Sequence, residues 1–299
     1  MGDYIIEYNI KDIIARNKWV WTYSCLNSKS FREFYIWQLN NVLRDKKIDI
    51  QNLYYDLVGP RMCNNSDHGC GWYDDDGLLW PTQQISGSRD FHKRIVMLTQ
   101  KILPDCKHLY HVTGQPVVPA VHSFCDGIVE GETSFGQMLP EKETYFGIIE
   151  PKMFRAGYTG EKWGYPTIFI PQLQRSAYFS RPDKAKYWKM ENAPEKYVRA
   201  ATHFLGYALT HDISLWYAEK VLDVVYDPLW KKQAKFMDKW DDKVEFIPYW
   251  RKNNPFKVES NTPQRVFMSA YTKNNKAMLV VMNDTNLDQK VKISIPEAR

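Results

Sequence analysis

Acidic side chains lie at the ends of several predicted strands of this chain. They are Asp56 in NLYYD, Asp126, Glu130 and Glu132 in CDGIVEGE, and Asp212, beside His211, in YALTHD. A parallel α/β barrel holds its catalytic groups at the carboxyl ends of its strands. A single acid after a strand is more often a turn or helix-capping residue, so the prediction rests on the set.

Two carboxyl groups that face one another can cleave a glycosidic bond. One protonates the leaving oxygen, and the other acts as the nucleophile or as the base on a water molecule. We expect Asp56 to be the nucleophile or base. Asp126 is the expected acid because it directly follows the predicted strand HSFC, with Glu132 next. Sequence order alone does not choose among Asp126, Glu130 and Glu132.

A long polar loop, residues 59–87, follows Asp56 and contains further candidates for ligand contact. Arginine can form a fork of hydrogen bonds to a carboxylate, and tryptophan offers a flat face for stacking on a sugar ring. The predicted substrate-binding residues, in this loop and at predicted strand ends, are Tyr54, Arg61, His68, Trp72, His111, His122, Glu130, His211 and Asp212.

The same loop contains Cys63 and Cys70, with His68 between them. The spacing C-x4-H-x-C matches no common zinc pattern, so we expect no metal and no other cofactor. Two alternatives stay open: a disulfide, or two buried thiols that brace the loop. The run of aspartates at 74–76 lacks the spacing of an EF-hand and is expected to be a solvated turn.

Composition limits the class of protein. The 299 residues are 44% apolar and 25% charged, as in ordinary globular proteins. Acidic and basic residues are interspersed around a net charge of +5, which argues against a nucleic-acid partner. No apolar run reaches the ~20 residues of a membrane span. The first residues lack the layout of a signal peptide, so we expect a cytoplasmic protein, or a periplasmic or secreted one if a leader has been removed.

Predicted strands and helices alternate along residues 19–245, the rhythm of βα units around a parallel sheet. The predicted helices cover residues 31–44, 89–102, 194–210 and 218–242. The predicted strand centres are Trp19, Leu53, Leu109, Phe124, Ile168 and Leu209. No glycine-rich phosphate loop follows any of these strands, which argues against a nucleotide-binding sheet.

We therefore predict an α/β fold with two domains. Residues 1–245 are expected to form a (β/α)8 TIM-type barrel that lacks its first two units. Either a preceding segment or a partner chain supplies them, or the barrel is incomplete. From about Phe246, three runs of alternating residues, at 263–272, 277–284 and 289–295, predict a small antiparallel β-domain over residues 246–299.

The segments SKSFREFYIWQL, NLYYDLVGP and HSFCDGIVEGE, with the antiparallel tail, carry a resemblance over residues 19–295. They resemble (β/α)8 glycoside hydrolases with a C-terminal β-domain, most of all a poorly characterised bacterial group of polysaccharide-degrading proteins. Some barrels have one aspartate after strand four and another after strand six. Asp56 and Asp126 resemble that pair. Related-looking β-N-acetylhexosaminidases use an adjacent Asp-Glu pair. Here Leu57 and Gly127 follow the two aspartates, so the resemblance does not imply substrate-assisted cleavage.

The leading hypothesis is a glycoside hydrolase that acts on a polysaccharide or glycan. The first alternative is a catalytically silent carbohydrate-binding relative. The second is a metal-dependent hydrolase that uses His111, His122 and His211 near predicted strand ends, although no H-x-H motif occurs in the chain.

Overall fold

The computed structural model describes residues 23–45, 47–112, 115–132, 150–159, 164, 166–170, 194–216, 231, 233, 235–239, 241–285 and 287–296. The helices are α1 (Lys29–Arg44), α2 (Ile85–Ile102), α3 (Pro119–His122), α4 (Pro151–Tyr158) and α5 (Pro194–His211). The strands of the first 132 residues are β1 (Asn52–Tyr55), β2 (Met62–Cys63), β3 (Trp72–Tyr73), β4 (Leu79–Trp80), β5 (Thr82–Gln83), β6 (Lys107–His111) and β7 (Gly127–Glu130). The later strands are β8 (Thr167–Phe169), β9 (Ser214–Leu215), β10 (Glu245–Ile247), β11 (Lys257–Ser260), β12 (Val266–Lys273), β13 (Lys276–Asn283) and β14 (Val291–Ser294).

Five strands form a parallel sheet in the order β1-β6-β7-β8-β9. The pairing of β1 with β6 runs from Asn52↔Lys107 to Tyr55↔Tyr110. The mixed α/β class is therefore confirmed, with helix α2 as the crossover that parallel neighbours require. Closing a barrel needs hydrogen bonds between the first and last strands. Among the described residues β1 and β9 are the two edges of an open sheet, so the predicted (β/α)8 barrel is not shown.

The chain divides into two compact units, residues 1–128 and 129–299. In the first unit α1 packs on α2 through aromatic side chains, with ring centroids of Tyr35 and Phe91 4.8 Å apart. The side chain of Ser28 accepts a hydrogen bond from the Phe31 N–H and caps α1. Ser30, which has a glutamate three residues later, lies inside the helix, and the serine two residues earlier satisfies the free N–H.

In the second unit the antiparallel strands of the tail are confirmed, but they form two sheets and not one meander. One sheet has the order β10-β12-β13, and β11 pairs with β14 separately. The turn between β12 and β13 has Asn274 and Asn275 at φ 48° and 61°. Consecutive left-handed residues are what a two-residue hairpin turn requires, and asparagine tolerates them. The predicted domain boundary at residue 245 stays a prediction.

Two predicted strands are wrong, and both errors move candidate site residues. Residues 119–122 form helix α3, started by Pro119, whose missing N–H has no cost at a helix start. The strand of this segment is β7, which follows Asp126. In the same way the run ending at His211 is the last turn of α5, and β9 begins after Asp212. Both aspartates therefore precede a strand.

Two other predicted elements lie partly or wholly outside the described residues. Of the predicted strand at 19–25, residues 23–25 are described and are not in a strand. The predicted helix at 218–242 is described only in part. In the described parts of the chain, none of the helices combines the length and the apolar character that crossing a membrane requires.

Candidate functional site

The carboxyl end of β1 presents Asp56 beside a buried histidine. β1 ends at Tyr55, and Asp56 Oδ1 lies 2.7 Å from Nδ1 of His111, the last residue of the neighbouring strand β6. Leu57 then takes a left-handed conformation, φ 54°. The Val58 N–H donates to the His111 carbonyl at 2.7 Å. The turn is therefore tied to β6 on both sides of Leu57, which orients the Asp56 side chain.

A carboxylate can only accept a hydrogen bond, so when Asp56 is a carboxylate the donor of this contact is His111 Nδ1–H. The hydroxyl oxygen of Tyr54 lies 2.7 Å from the same nitrogen. The Asp56 side chain is 64% exposed, whereas that of His111 is 4% exposed. A buried imidazole thus holds one oxygen of an accessible carboxylate.

Asp126 lies at the opposite end of the same strands. Its carboxylate accepts hydrogen bonds from the His108 backbone N–H at 2.9 Å and from Lys107 Nζ at 3.2 Å. These are the first two residues of β6, whereas Asp56 bonds its last residue. Three residues of strand separate His108 from His111, about 10 Å along the strand. The structure does not bring Asp56 and Asp126 together.

Several predicted binding residues of the first unit are engaged by the protein itself. His122 is fully buried, with Nδ1 2.9 Å from the Val118 carbonyl and Nε2 3.3 Å from the Val58 carbonyl. The Arg61 guanidinium lies 3.6 Å from the centroid of the Tyr23 ring. Tyr54 is partly exposed beside His111. His122 and Arg61 therefore hold the loop after β1 in place.

The aromatic hairpin, strands β3 and β4 (residues 72–80), exposes a flat apolar surface. Trp72 faces Trp80 across the strand pair, and their stacked rings have centroids 6.4 Å apart. The two side chains are 55% and 49% exposed. Asp74 is the turn residue expected from the sequence: it accepts from the Trp80 Nε1–H and from two backbone N–H groups of the turn. Trp80 was missed by sequence reasoning, although its spacing from Trp72 across an Asp-Gly turn is a hairpin signal.

The remaining candidates belong to the second unit. Glu130 ends β7, and its carbonyl accepts from the Ile170 N–H at 2.9 Å. Glu132, two residues further, is buried. Burial lowers the pKa of His211 to about 4, and its Nε2 lies 3.2 Å from the Tyr249 hydroxyl. Asp212 Oδ1 accepts from Lys239 Nζ at 3.2 Å. His211 is therefore a packed residue at the end of α5, and Asp212 is an exposed residue paired with Lys239.

A large cavity of about 1060 Å³ in the second unit contains none of the predicted site residues. Its polar lining includes Glu150, Arg155, Tyr249, Arg251 and Arg265. No sequence motif pointed to it, because the residues come from α4 and from three separate segments of the tail.

Four side chains in the first unit form the Cys–His cluster: Cys25, Cys63, His68 and Cys70. One ligand atom from each lies within 4.8 Å of all the others. The cysteines are free thiols, so of the two expected braces the disulfide is wrong and the buried thiols are confirmed. Cys25 was missed by sequence reasoning because 45 residues separate it from Cys70. These residues have the donor atoms to hold a metal ion.

No family model and no curated protein matches the chain. Among solved structures, a noncanonic maltogenic alpha-amylase from Thermotoga neapolitana matches with a TM-score of 0.46 and 11% sequence identity. The match covers 88% of this chain and 55% of the amylase chain, so this chain spans about half the length of that protein. A likeness of this size does not assign a function or site residues.

Proposed function

We propose that the protein hydrolyses glycosidic bonds in a glycan, with Asp56 as the nucleophile or as the base on a water molecule. The observation that supports this role is the arrangement at the end of β1. Asp56 is largely exposed, so a substrate can reach it, and the 2.7 Å hydrogen bond from His111 holds its carboxylate. A held carboxylate at the carboxyl end of a parallel strand is suited to attack a sugar carbon or to activate water.

The loop after Asp56 supplies a surface for sugar rings. The aromatic hairpin belongs to this loop, and its two stacked tryptophans, Trp72 and Trp80, are each about half exposed. Sugar rings have apolar C–H faces that pack on aromatic side chains. The hairpin therefore supports a carbohydrate as the ligand. Trp72 stays the proposed stacking residue for a sugar ring.

The acid of the reaction requires a different choice from the one that the sequence favoured. Asp126 lies at the other end of β6, about 10 Å along the strand from the end that carries Asp56. There its carboxylate binds the His108 N–H at the start of β6. Glu132, the second choice from the sequence, stays a prediction for the acid.

Replacing Asp56 by Asn tests the proposal on a panel of oligosaccharides and polysaccharides. We expect turnover to fall by roughly 10²–10⁴-fold, the range for loss of a general base. The melting temperature should not change, because the side chain is exposed and the amide oxygen can still accept a hydrogen bond. Asp126→Asn is the matched control and should retain turnover. An Asp56→Asn protein with full activity would contradict the assignment.

A catalytically silent carbohydrate-binding protein is the second candidate. The observation that favours it is the separation of the predicted pair, Asp56 and Asp126, because hydrolysis requires two carboxyl groups at one bond. Calorimetric titration with the same glycans separates the two candidates: binding without product, in wild type, would select the silent protein. The metal-dependent hydrolase is not proposed, because His122 and His211 use their ring nitrogens on protein groups.

A further inference from the structure

The Cys–His cluster has the dimensions of a tetrahedral metal site. Cys25 Sγ and Cys70 Sγ are 3.8 Å apart, and Cys63 Sγ lies 3.3 Å from His68 Nε2. A zinc ion binds sulfur at about 2.3 Å and nitrogen at about 2.0 Å in tetrahedral geometry, which places two sulfur ligands about 3.8 Å apart. Sulfur atoms joined in a disulfide would be about 2.05 Å apart. The spacing fits a central ion and excludes a bond between Cys25 and Cys70.

The cluster is buried and is assembled from separate parts of the first unit. All three cysteines are no more than 2% exposed. Cys25 precedes α1, Cys63 ends β2, and His68 closes a single 3-10 turn. Cys70 lies between Gly69 and Gly71, whose φ angles of 79° and 86° are in the left-handed region. The two glycines let the chain turn sharply on both sides of Cys70, so its thiol can face the others.

Neighbouring groups provide outer contacts to the sulfur atoms of the cluster. Asn27 Nδ2–H donates to Cys70 Sγ at 3.2 Å, and Asn27 Oδ1 accepts from the Gly87 N–H at 3.2 Å. The Tyr23 ring packs against the three cysteines, with the Arg61 guanidinium on that ring. Three thiolates and one neutral imidazole around Zn²⁺ carry one net negative charge. An N–H donor to sulfur and a nearby guanidinium both favour that charge.

We propose that Cys25, Cys63, His68 and Cys70 bind one zinc ion in a structural site with four protein ligands and no open position. The three cysteines bind as thiolates and the histidine as neutral imidazole, so binding releases three protons to solvent. The ion joins the segment before α1 to the loop that carries the aromatic hairpin. The site is independent of the proposed hydrolysis.

The metal content of the wild-type protein is the first measurement. The protein is produced in zinc-supplemented medium, its affinity tag is removed, and zinc is counted by mass spectrometry after gel filtration. We expect about one zinc per chain, and X-ray absorption should give three sulfur ligands and one nitrogen ligand. Exchange with Co²⁺ should give the sulfur-to-metal charge-transfer band and the strong visible bands of tetrahedral cobalt. A wild-type protein that holds neither metal, or that forms a disulfide among these cysteines, would overturn the proposal.

Variants then identify the ligands. Cys25→Ser should lower zinc content at least about tenfold, because a four-coordinate structural site loses a ligand. Cys106→Ser, at a buried thiol outside the cluster, is the control and should keep the zinc. If Cys25→Ser does not fold, His68→Cys decides the question, since four cysteines also form a zinc site. It should keep one zinc and show the cobalt spectrum of four sulfur ligands. Loss of metal from the control, or an unchanged cobalt spectrum in His68→Cys, would contradict the assignment.

Discussion

The two ends of the paired strands β1 and β6 use the same residue type in different ways. At the amino end, Asp126 accepts from the His108 backbone N–H and from Lys107 Nζ. At the carboxyl end, Asp56 accepts from a histidine side chain and leaves most of its carboxylate exposed. Asp126 satisfies a strand N–H that would otherwise need a partner. Among the described residues, Asp56 accepts from no backbone N–H, and its exposed carboxylate is open to a substrate.

The difference shows that an aspartate next to a strand has a role only once its end of the strand is known. An acid before a strand meets free N–H groups, which it binds strongly because the bond is charge-assisted. An acid after a strand meets the side where parallel α/β proteins bind ligands. Three experiments test this difference between the two ends: unfolding as a function of pH, truncation of Asp126, and removal of one ring of the aromatic hairpin.

The largest effect expected is destabilisation by acid, through two buried histidines at the same strands: His92, whose ring contacts Tyr55 and Tyr110, and His108 in β6. Burial lowers the pKa of His92 to about 3, with the charges of His122 and His108 as smaller causes, and burial also lowers the pKa of His108. The ordinary value of 6.5 applies in the unfolded chain. Between these values the unfolded chain binds more protons. The stabilisation is therefore complete above pH 6.5 and is lost as the pH falls towards 3.

His92 should add a slope of about 1.4 kcal/mol per pH unit to the free energy of unfolding in that window, and His108 should act in the same direction. Urea unfolding from pH 7 to pH 4 measures it. His92→Gln should reduce the slope by about 1.4 kcal/mol per pH unit, while Asp56→Asn should leave the slope unchanged. A wild-type free energy of unfolding that does not vary with pH would contradict the buried, neutral state of His92.

Truncation of Asp126 is the next effect in size. Asp126→Ala removes the acceptor of the His108 N–H and the partner of Lys107. A hydrogen bond to a charged group contributes about 1.5–3 kcal/mol, and we expect the lower part of this range because Lys107 is exposed. Chemical denaturation measures the loss, and turnover per folded molecule should stay at the wild-type level. A loss of turnover without a loss of stability would return Asp126 to the catalytic group.

The sequence predicted the carboxyl end of β1 better than the amino end of β7, for local reasons. NLYY forms the regular strand β1, the chain turns at Leu57, and Asp56 lies at the strand end as predicted. HSFC is too short for periodicity to assign it to a helix or a strand. Pro119 was the missed signal, because proline is frequent at a helix start. Because this segment was predicted to be a strand, Asp126 was placed after a strand and was paired with Asp56.

Long-range features were less accessible from the sequence. The metal pattern was rejected on the spacing of Cys63, His68 and Cys70 alone, because the fourth ligand, Cys25, is far away in the chain and joins them only in the folded unit. Strand number and closure also depend on pairing between distant segments. The βα rhythm therefore predicted the parallel sheet and did not distinguish an open sheet from a barrel.

The smallest effect expected is the loss of one face of the aromatic hairpin. Trp72→Ala leaves Asp56 and His111 unchanged and removes one of the two stacked rings. An aromatic contact contributes about 0.5–1.5 kcal/mol, so KM or Kd for an oligosaccharide should rise by about 2–12-fold while kcat stays the same. Trp37→Ala is the matched control, since that tryptophan is 58% exposed on α1. Equal effects of the two substitutions would show that the hairpin has no special part in binding, and the carboxyl end of β1 would then depend on Asp56 alone.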